Sequence, residues 1–426
     1  MPLEDHPIAR RKKHHRADRR EESMHVAFIA ITPFPKIGGG WTFLSQLMSG
    51  MGARRHATAI ATPRQLSPTW MTMINRTAQI VRVAFGSWLW FFVRMALVGF
   101  ALRLYVSRNR DFEEVDVFDA QDPIAFLAVH SLARRRDKKT LLTIHGYFHH
   151  ESNMGSISPG SFWGLLLRRV ERRAYDSAPK IVVVDTRLSE YLVRLGTDPN
   201  KVQVRRNFVD STVFTPADVA SRAFERAQFG LDADDRVILC ARRLEEKCGV
   251  RYAIEAVSLL RKRLPNVVLL VAGTGTQEPS LRLLASSLGV EAHVRFLGDV
   301  DHGAMPSLLR ASDAAVVPSV TVGEEVEATS FAALEAMACA IPLVASDIGG
   351  LRELITNDAD GIRVPERDPA ALASALLKVF GPEGERLGNE ARRTVEASFS
   401  LQRGVDETMA LYWGLIGRES ATGPCG

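Results

Sequence analysis

The stretch VPSVTVGEEVEATSFAALEAMACAIPLVASDIGG, residues 317–350, decides how the rest of the chain is read. The apolar run 314–317 that leads into it has the character of a buried strand. It stops at Pro318, which cannot donate to a ladder. An acidic loop follows with Glu324, Glu325 and Glu327. Thr329 or Ser330 can then cap an alanine-rich helix over 331–339, which Pro342 ends. A second buried strand, 343–346, closes the unit at Gly349 and Gly350.

Two carboxylates frame the start of that helix. Glu327 lies just outside it and Glu335 well inside, roughly 12 Å apart along the axis at the usual rise per residue. Between them, the free N–H groups and the positive dipole end of the helix suit a phosphate. The spacing fits a ligand with hydroxyls at both ends and negative charge between: a sugar at Glu327, a diphosphate at the helix start, a ribose at Glu335. Such a ligand is a nucleotide-sugar. An acidic loop before an ordinary core helix would account for the pair alone, but not for the pair with both flanking strands.

Glu327 and Glu335, with Ala336-Met337-Ala338-Cys339 and Pro342-Leu343-Val344-Ala345-Ser346 behind them, resemble the signature of retaining glycosyltransferases of family 4, the glycosyl transferases group 1. The resemblance implies an α/β chain with the GT-B fold, two Rossmann-like domains facing each other across a cleft. It also implies that Glu327 holds donor-sugar hydroxyls, Glu335 the ribose, and Thr329, Ser330 and Phe331 the donor at the helix start. Glu327-Ala328-Thr329-Ser330 stands where the family commonly has Glu-Gly-Phe-Gly, so the backbone approaches phosphate less freely than glycines would allow.

At 426 residues with 46% hydrophobic content, the chain can build two cores of ordinary size. The net charge is +5, and much of the excess sits in Arg10-Arg11-Lys12-Lys13-His14-His15-Arg16 with Arg19 and Arg20 behind. Residues 1–23 therefore read as a solvated basic tail. Attraction to anionic headgroups is the alternative. Nucleic-acid binding is not expected, since no aromatic-interleaved basic motif accompanies the run. Cys240, Cys248, Cys339 and Cys425 show no metal-ligand spacing, and Cys240 and Cys339 sit in apolar contexts as small core residues. A reduced cytoplasmic protein fits this usage. No apolar signal region precedes Met24.

Residues 24–31 form a continuous apolar run typical of a central parallel strand. Gly38-Gly39-Gly40 and a helix over 41–51 complete the opening of a Rossmann-like half, though without G-x-G-x-x-G spacing. The resemblance places Gly39 and Gly40 in a loop near the acceptor and the donor phosphates; a tight turn alone is equally compatible. Residues 79–106 are the most apolar part of the chain. Their longest uncharged run is 83–93, against about 20 residues for a membrane span, and Arg94 would sit mid-span. A spanning helix is not expected. Buried helices, or a patch lying on the membrane with Trp88, Trp90, Phe91 and Phe92 in lipid, both remain open.

Strands follow over 115–120 and 140–144, the second running into His145-Gly146. A histidine at the carboxyl end of a parallel strand points into the crevice where such sheets bind ligands. The segment resembles the family's strand-end His-Gly, whose histidine contacts the donor sugar. His149 and His150 stay unassigned. Helices over 162–175 and 187–195 bracket a strand over 180–185, and Asn207 and Asp210 have the chemistry of a turn. The polar stretch 215–235 is the expected boundary. It divides the chain into an N-terminal domain over 24–214 and a C-terminal domain over 215–395, with 396–426 returning to the first domain.

The second half restarts with a strand over 237–241 and then Arg242-Arg243-Leu244-Glu245-Glu246-Lys247-Cys248-Gly249. This resembles the family's Arg-Leu and Lys-Gly segment, whose two cations hold the donor diphosphate. Cleavage leaves charge on the departing diphosphate, which fixed cations stabilise as it develops. Cys248 stands where lysine is common, so Lys247 is paired with Arg243, and Arg242 is the reserve. A surface charge cluster is the plainer reading. A strand over 267–272 ends in Gly273-Thr274-Gly275, either a second backbone approach to phosphate or a plain turn. Residues 293–297 with Gly298-Asp299-Val300 resemble the segment facing the nucleotide base. A last strand over 361–364 precedes helices from 369 to about 413.

The expected activity is transfer of a sugar from a nucleoside diphosphate sugar, with retention and without a metal or other cofactor, to a glycan, lipid-linked or small-molecule acceptor. Peripheral contact with the inner face of a membrane, through 79–106 and the basic tail, is the expected extra partner. The rivals are a nucleotide-sugar epimerase of the same fold and a non-catalytic scaffold that binds membrane or partner.

Overall fold

The computed structural model describes residues 23–32, 39–148, 161–323 and 325–418. The basic tail, Gly38, His149, His150, Glu324 and Cys425 lie outside the described residues. The chain forms two units. One takes the described residues up to Val183, then Leu188–Val204 and those from Val405 onward; the other takes Val184–Arg187 and Arg205–Gly404.

In the first unit the strands are β1 (His25–Ile29), β2 (Ala57–Ala61), β3 (Val117–Ala120), β4 (Lys139–Ile144), β5 (Ile181–Val183) and β6 (Val202–Val204). All pair in parallel, in the order β2-β1-β3-β4-β5-β6. β1, β3 and β5 are buried nearly throughout, which is why they read as uninterrupted apolar runs. The sequence reading did not mark β2. It is an edge strand, largely half-buried, so ATAIA carries neither a clean alternation nor a long apolar run.

The helices of this unit are α1 (Gly39–Ala53), α2 (Pro68–Phe85), α3 (Ser87–Arg108), α4 (Pro123–Arg135), α5 (Phe162–Ser177) and, from Leu188 onward, α6 (Thr186–Arg194). The apolar stretch 79–106 thus becomes two helices broken at Gly86, whose φ of 90° ends one and starts the next. Within α3, Trp88–Arg108 is long and apolar enough to cross a membrane, contrary to the count of uncharged residues. That helix is packed on one side all the same. Gly99 meets Ile124 and Ala128 of α4, and the Arg103 guanidinium donates to the Ala128 carbonyl and the Ser131 hydroxyl.

The second unit holds β7 (Arg236–Ala241), β8 (Val267–Ala272), β9 (Val294–Gly298), β10 (Ala314–Val317), β11 (Leu343–Ser346) and β12 (Ile362–Val364). Its parallel order is β12-β11-β10-β7-β8-β9. Successive side chains serve opposite faces. Val237 and Leu239 join the layer containing Val317 and Met337, whereas Ile238 and Cys240 join the one containing Val257 and Leu376. Each such fully buried Val, Leu or Ile contributes about 1.5–3 kcal/mol.

The helices of this unit run from α7 (Val219–Gln228) through α8 (Val250–Leu260), α9 (Glu278–Ser287), α10 (Met305–Arg310), α11 (Phe331–Ala338), α12 (Gly349–Leu354) and α13 (Pro369–Val379) to α14 (Glu383–Ser398). A final helix, α15 (Leu401–Leu415), ends the described chain.

The division between units falls after Val204 and not after Phe214. Val209 and Phe214 are buried in the second unit's core, and Phe208 fills the space that a side chain at position 404 would need. The polar stretch 215–235 is no open linker either, because α7 lies inside it. Asp218 caps α7 by accepting from the Ser221 N–H, and Arg226 and Glu225 tie it to Asp313 and Arg310.

Candidate functional site

In the second sheet the strand order reverses between the neighbours β7 and β10. Open α/β sheets bind ligands beyond the carboxyl ends of their strands at such a switch point. Arg242 follows β7 by one residue, and Ser319 follows β10 by two. A guanidinium N–H of Arg242 donates to a Glu327 carboxylate oxygen at 2.5 Å, with further bonds to Ser319 Oγ at 2.9 Å and Ser330 Oγ at 3.1 Å. Ser319 Oγ in turn donates to the same Glu327 oxygen.

The two charged side chains are only 11% and 13% exposed, so neither is solvated enough to stand alone. Burial works against both charges, but each is held by the other. The Glu327 carboxyl stays below its ordinary range, and the Arg242 guanidinium stays charged.

Glu327 is set in place through its backbone. Its carbonyl accepts from Arg187 at 2.7 Å and from the Gly350 N–H at 2.9 Å. Two residues on, the Thr329 carbonyl accepts from the buried Asn207 amide at 2.7 Å, while Thr329 Oγ1 donates to the Val184 carbonyl. Gly349 and Gly350 pack directly beneath. A Cβ at Gly349 would overlap the Glu327 carbonyl, and one at Gly350 the Ala328–Thr329 peptide. Asn207 is therefore more than a turn residue, because it anchors the approach to α11. Ser330 occupies the N-cap of α11 without a side-chain cap, its hydroxyl accepting from Arg242 instead, and Phe331 is the first helical residue.

Arg242, the reserve in the sequence reading, is thus the arginine that reaches Glu327; Arg243 is exposed. Lys247 pairs with Glu325 at 2.9 Å, and its carbonyl accepts from the Val320 N–H. The glycines after β8 serve the same construction. A Cβ at Gly273 or Gly275 would run into the Arg242 or Leu244 carbonyl, while Arg242 and Leu244 donate their N–H groups to Ala272 and Thr274. Gly273 and Gly275 let two loops lie side by side and so position Arg242. Asp299 is exposed after β9.

Glu335 lies in α11 with its side chain 8% exposed. Among the described residues no donor hydrogen-bonds to its carboxylate, and the one basic nitrogen within 4.0 Å is His302 Nδ1, 3.9 Å away. Burial pushes this carboxyl up to about 8. A nearly buried carboxylate lacking donors is suited to accept hydroxyl hydrogen bonds from a ligand. Glu325 reads from the sequence only as part of the acidic loop, without a partner, and His302 has no signal beyond its place in a loop after a strand end.

In the first unit, His145 follows β4, and its Nε2 lies 2.9 Å from Gln121 Oε1. The Phe43 ring tilts against the imidazole at a centroid distance of 5.6 Å. Gly39 and Gly40 are not loop residues, since they form the first turn of α1. The backbone N–H groups there belong to a helix start, which keeps anion binding available in another form. Asp122 fastens this region by accepting from the Ile31 N–H after β1 and from the Ala125 N–H of α4. Burial outweighs those bonds and pushes its carboxyl up to about 6. Cys240 and Cys339 are buried thiols pushed up to about 12 by burial, so neither is a nucleophile. Among the described residues no group of three or more His, Cys, Asp or Glu has metal-binding geometry.

Comparison with known proteins bears on both units in turn. The profile of glycosyltransferase family 4 matches residues 37–213, and that of glycosyl transferases group 1 matches residues 221–394. The chain belongs to glycosyltransferase family 4. Relatives of this family 4 chain include an uncharacterized glycosyltransferase of Methanocaldococcus jannaschii, 31% identical over 56% of this chain and 60% of that protein. Another is the D-inositol 3-phosphate glycosyltransferase of Mycobacterium tuberculosis, 31% identical over 59% of this chain and 52% of that protein. The matched part thus spans between half and two thirds of these relatives.

Among solved structures, sucrose-phosphate synthase from Thermosynechococcus elongatus matches with a TM-score of 0.72 at 20% identity, covering 92% of this chain and 99% of that one. Anabaena HepE in complex with UDP matches with a TM-score of 0.68 at 16% identity, covering 92% and 100%. These likenesses establish the fold as GT-B, in agreement with the two parallel Rossmann-like sheets.

Proposed function

We propose that this family 4 chain transfers a sugar from a nucleoside diphosphate sugar to an acceptor with retention of anomeric configuration. The observation that carries this reading is the Arg242–Glu327 pair beside Ser330 at the start of α11. It sets a cation, a carboxylate and a helix N-terminus within one small region at the switch point. In this reading Glu327 holds sugar hydroxyls, Arg242 and Lys247 take the diphosphate, Glu335 takes the ribose, and His145 contacts the transferred sugar. Arg243, exposed beside Arg242, and the Asp299 segment stay as outer contacts to the phosphates and base.

The acceptor oxygen replaces the phosphate oxygen at the anomeric carbon on the same face, and its proton ends on the departing diphosphate. The cations lower the barrier by stabilising charge that grows as that bond breaks. They supply the positive charge themselves, so transfer is expected to persist in EDTA.

The UDP bound to Anabaena HepE and the family membership support testing uridine donors first. A panel of UDP-, GDP- and ADP-sugars, read by thermal shift, tests the reading through mass action. One donor should raise the melting temperature and turn over with an acceptor, giving a product whose anomeric configuration matches the donor. Stabilisation by no nucleotide would remove the proposal. Turnover of the nucleotide-sugar without acceptor would point to an epimerase instead, and binding with no transfer at all to a scaffold.

A lipid-linked acceptor is favoured by the outer face of α2. Ile74 and Ala78 bury its inner side, while Met73, Ile80 and Val83 stand 54%, 69% and 88% exposed on the other, with Arg76 among them. An apolar stripe carrying a basic residue suits the surface of a membrane, and a cytoplasmic protein resting on the inner leaflet is the corresponding location.

A further inference from the structure

His145 is oriented by a buried chain of hydrogen bonds that the reaction scheme above does not use. Asp119, at the end of β3, is fully buried. Its Oδ1 lies 2.7 Å from Thr143 Oγ1 and 2.8 Å from Gln121 Nε2, and its Oδ2 lies 2.6 Å from Tyr412 Oη. Gln121 Nε2 also points to the backbone carbonyl of Asp119 at 3.3 Å. A backbone carbonyl accepts and never donates. The Gln121 amide can therefore be placed only one way round, with its nitrogen toward Asp119 and its oxygen toward His145. Turning it over would set Oε1 against two acceptor oxygens at once.

That orientation has a consequence at the ring. Gln121 Oε1 accepts only, and it sits 2.9 Å from His145 Nε2. A hydrogen bond at this distance requires the proton to be on Nε2. The second ring nitrogen, Nδ1, is then the unprotonated one in the neutral imidazole.

We infer that Gln121, oriented by Asp119, is a positioning residue that holds His145 as the Nε2–H tautomer, so that this histidine meets the donor sugar with Nδ1 as a hydrogen-bond acceptor. The proposal rests on the reading that His145 faces the transferred sugar. It adds which ring nitrogen does so and what sets it. Asp119, Thr143 and Tyr412 act behind Gln121 and touch no substrate. The network joins β3, β4 and α15, so one side chain of the last helix helps to fix a histidine that lies far away in sequence.

The test uses the full chain with histidine labelled in both ring nitrogens. Nitrogen chemical shifts distinguish the two neutral tautomers, and the His145 signals are assigned by their loss in His145→Asn. In the native chain above pH 7, His145 should show the Nε2–H pattern. Gln121→Met, similar in length but without an acceptor oxygen, should give a mixture of tautomers. Turnover with the donor found by thermal shift should then fall about tenfold, the scale of one lost hydrogen bond, with donor KM little changed. Gln121→Glu, with a proton shared between its second oxygen and Asp119, keeps an acceptor oxygen toward His145 and should keep Nε2 protonated; it also keeps the experiment decisive if Gln121→Met folds poorly.

An Nδ1–H pattern in the native chain would overturn the inference. So would an unchanged pattern in Gln121→Met, or an Nε2 without its proton in Gln121→Glu. Failure of every donor to turn over in the native chain counts against the transfer reading, and the tautomer is still read independently of it.

Discussion

Arg242 and Glu327 form an ion pair at 2.5 Å in which both side chains are almost withdrawn from water. Their closeness divides the labour of the site in a measurable way. Glu327→Ala should lower sugar transfer by a hundredfold or more, on the order of other losses of transition-state contacts, while nucleoside diphosphate affinity stays within about threefold. Arg242→Ala should weaken that affinity by roughly tenfold or more, as expected for a charge-assisted bond. Both variants leave a partly buried partner unpaired, which costs up to about 3 kcal/mol and lowers the melting temperature. Calorimetric titration with UDP or GDP, beside a transfer assay, separates the two. Equal activity in Glu327→Ala would remove that carboxylate from the mechanism.

If Glu335 takes the ribose as proposed, nucleotide binding should depend on pH. Its carboxyl titrates near 8 in the protein alone, because burial opposes the charge. Ribose hydroxyls donate to the charged form, so binding should release a proton around pH 7, and affinity should rise between pH 6 and 8. Titration in two buffers of different ionisation enthalpy measures that proton, and Glu335→Gln should abolish the contribution. Stability carries the matching sign. The folded carboxyl holds its proton more tightly than the ordinary value of 4.5, so stability falls as pH rises from about 4.5 to about 8. A pH-melting curve that does not flatten in Glu335→Gln would contradict this.

Gly350 and Gly52 should respond in opposite directions to the same methyl group. A Cβ at Gly350 would meet the Ala328–Thr329 peptide, so Gly350→Ala should destabilise by about 1–3 kcal/mol and displace the segment carrying Glu327. Gly52, in α1, faces open space, and Gly52→Ala should stabilise by about 0.5–1 kcal/mol. Thermal denaturation of the two single variants checks both signs.

The exposed stripe of α2 predicts membrane attachment independent of the nucleotide site. Ile80→Glu with Val83→Glu should reduce co-sedimentation with anionic phospholipid vesicles by roughly half or more, leaving nucleotide affinity unchanged. Undiminished sedimentation would show that this face does not touch lipid.

Much of the fold was legible because parallel strands buried on both faces are apolar runs, as in residues 24–31 and 267–272. The helix carrying Glu335 was equally plain, bracketed by Ser330 and Pro342. What escaped notice shares one cause: its determinants are distant in sequence. β2 is an edge strand with little pattern of its own. α7 is held by ion pairs from Arg222 and Arg226 to Asp313, so its charged residues read as a linker. Only the cap at Asp218 gave a local sign of it. Adjacent arginines after a strand look alike in one dimension, and only the packing of the Gly273 turn against the Arg242 backbone sends Arg242 inward. The contact between Gln121 and His145 spans two strands and has no local signature.

Lys247 and Arg242 each already have an acidic companion, Glu325 and Glu327. A stray polyanion therefore meets a neutral quartet of side chains and no bare positive well. On the proposed reading, a diphosphate alone meets cations that are already engaged and binds less tightly than the whole activated sugar, whose hydroxyls can take over Glu327 and release Arg242 to the phosphates.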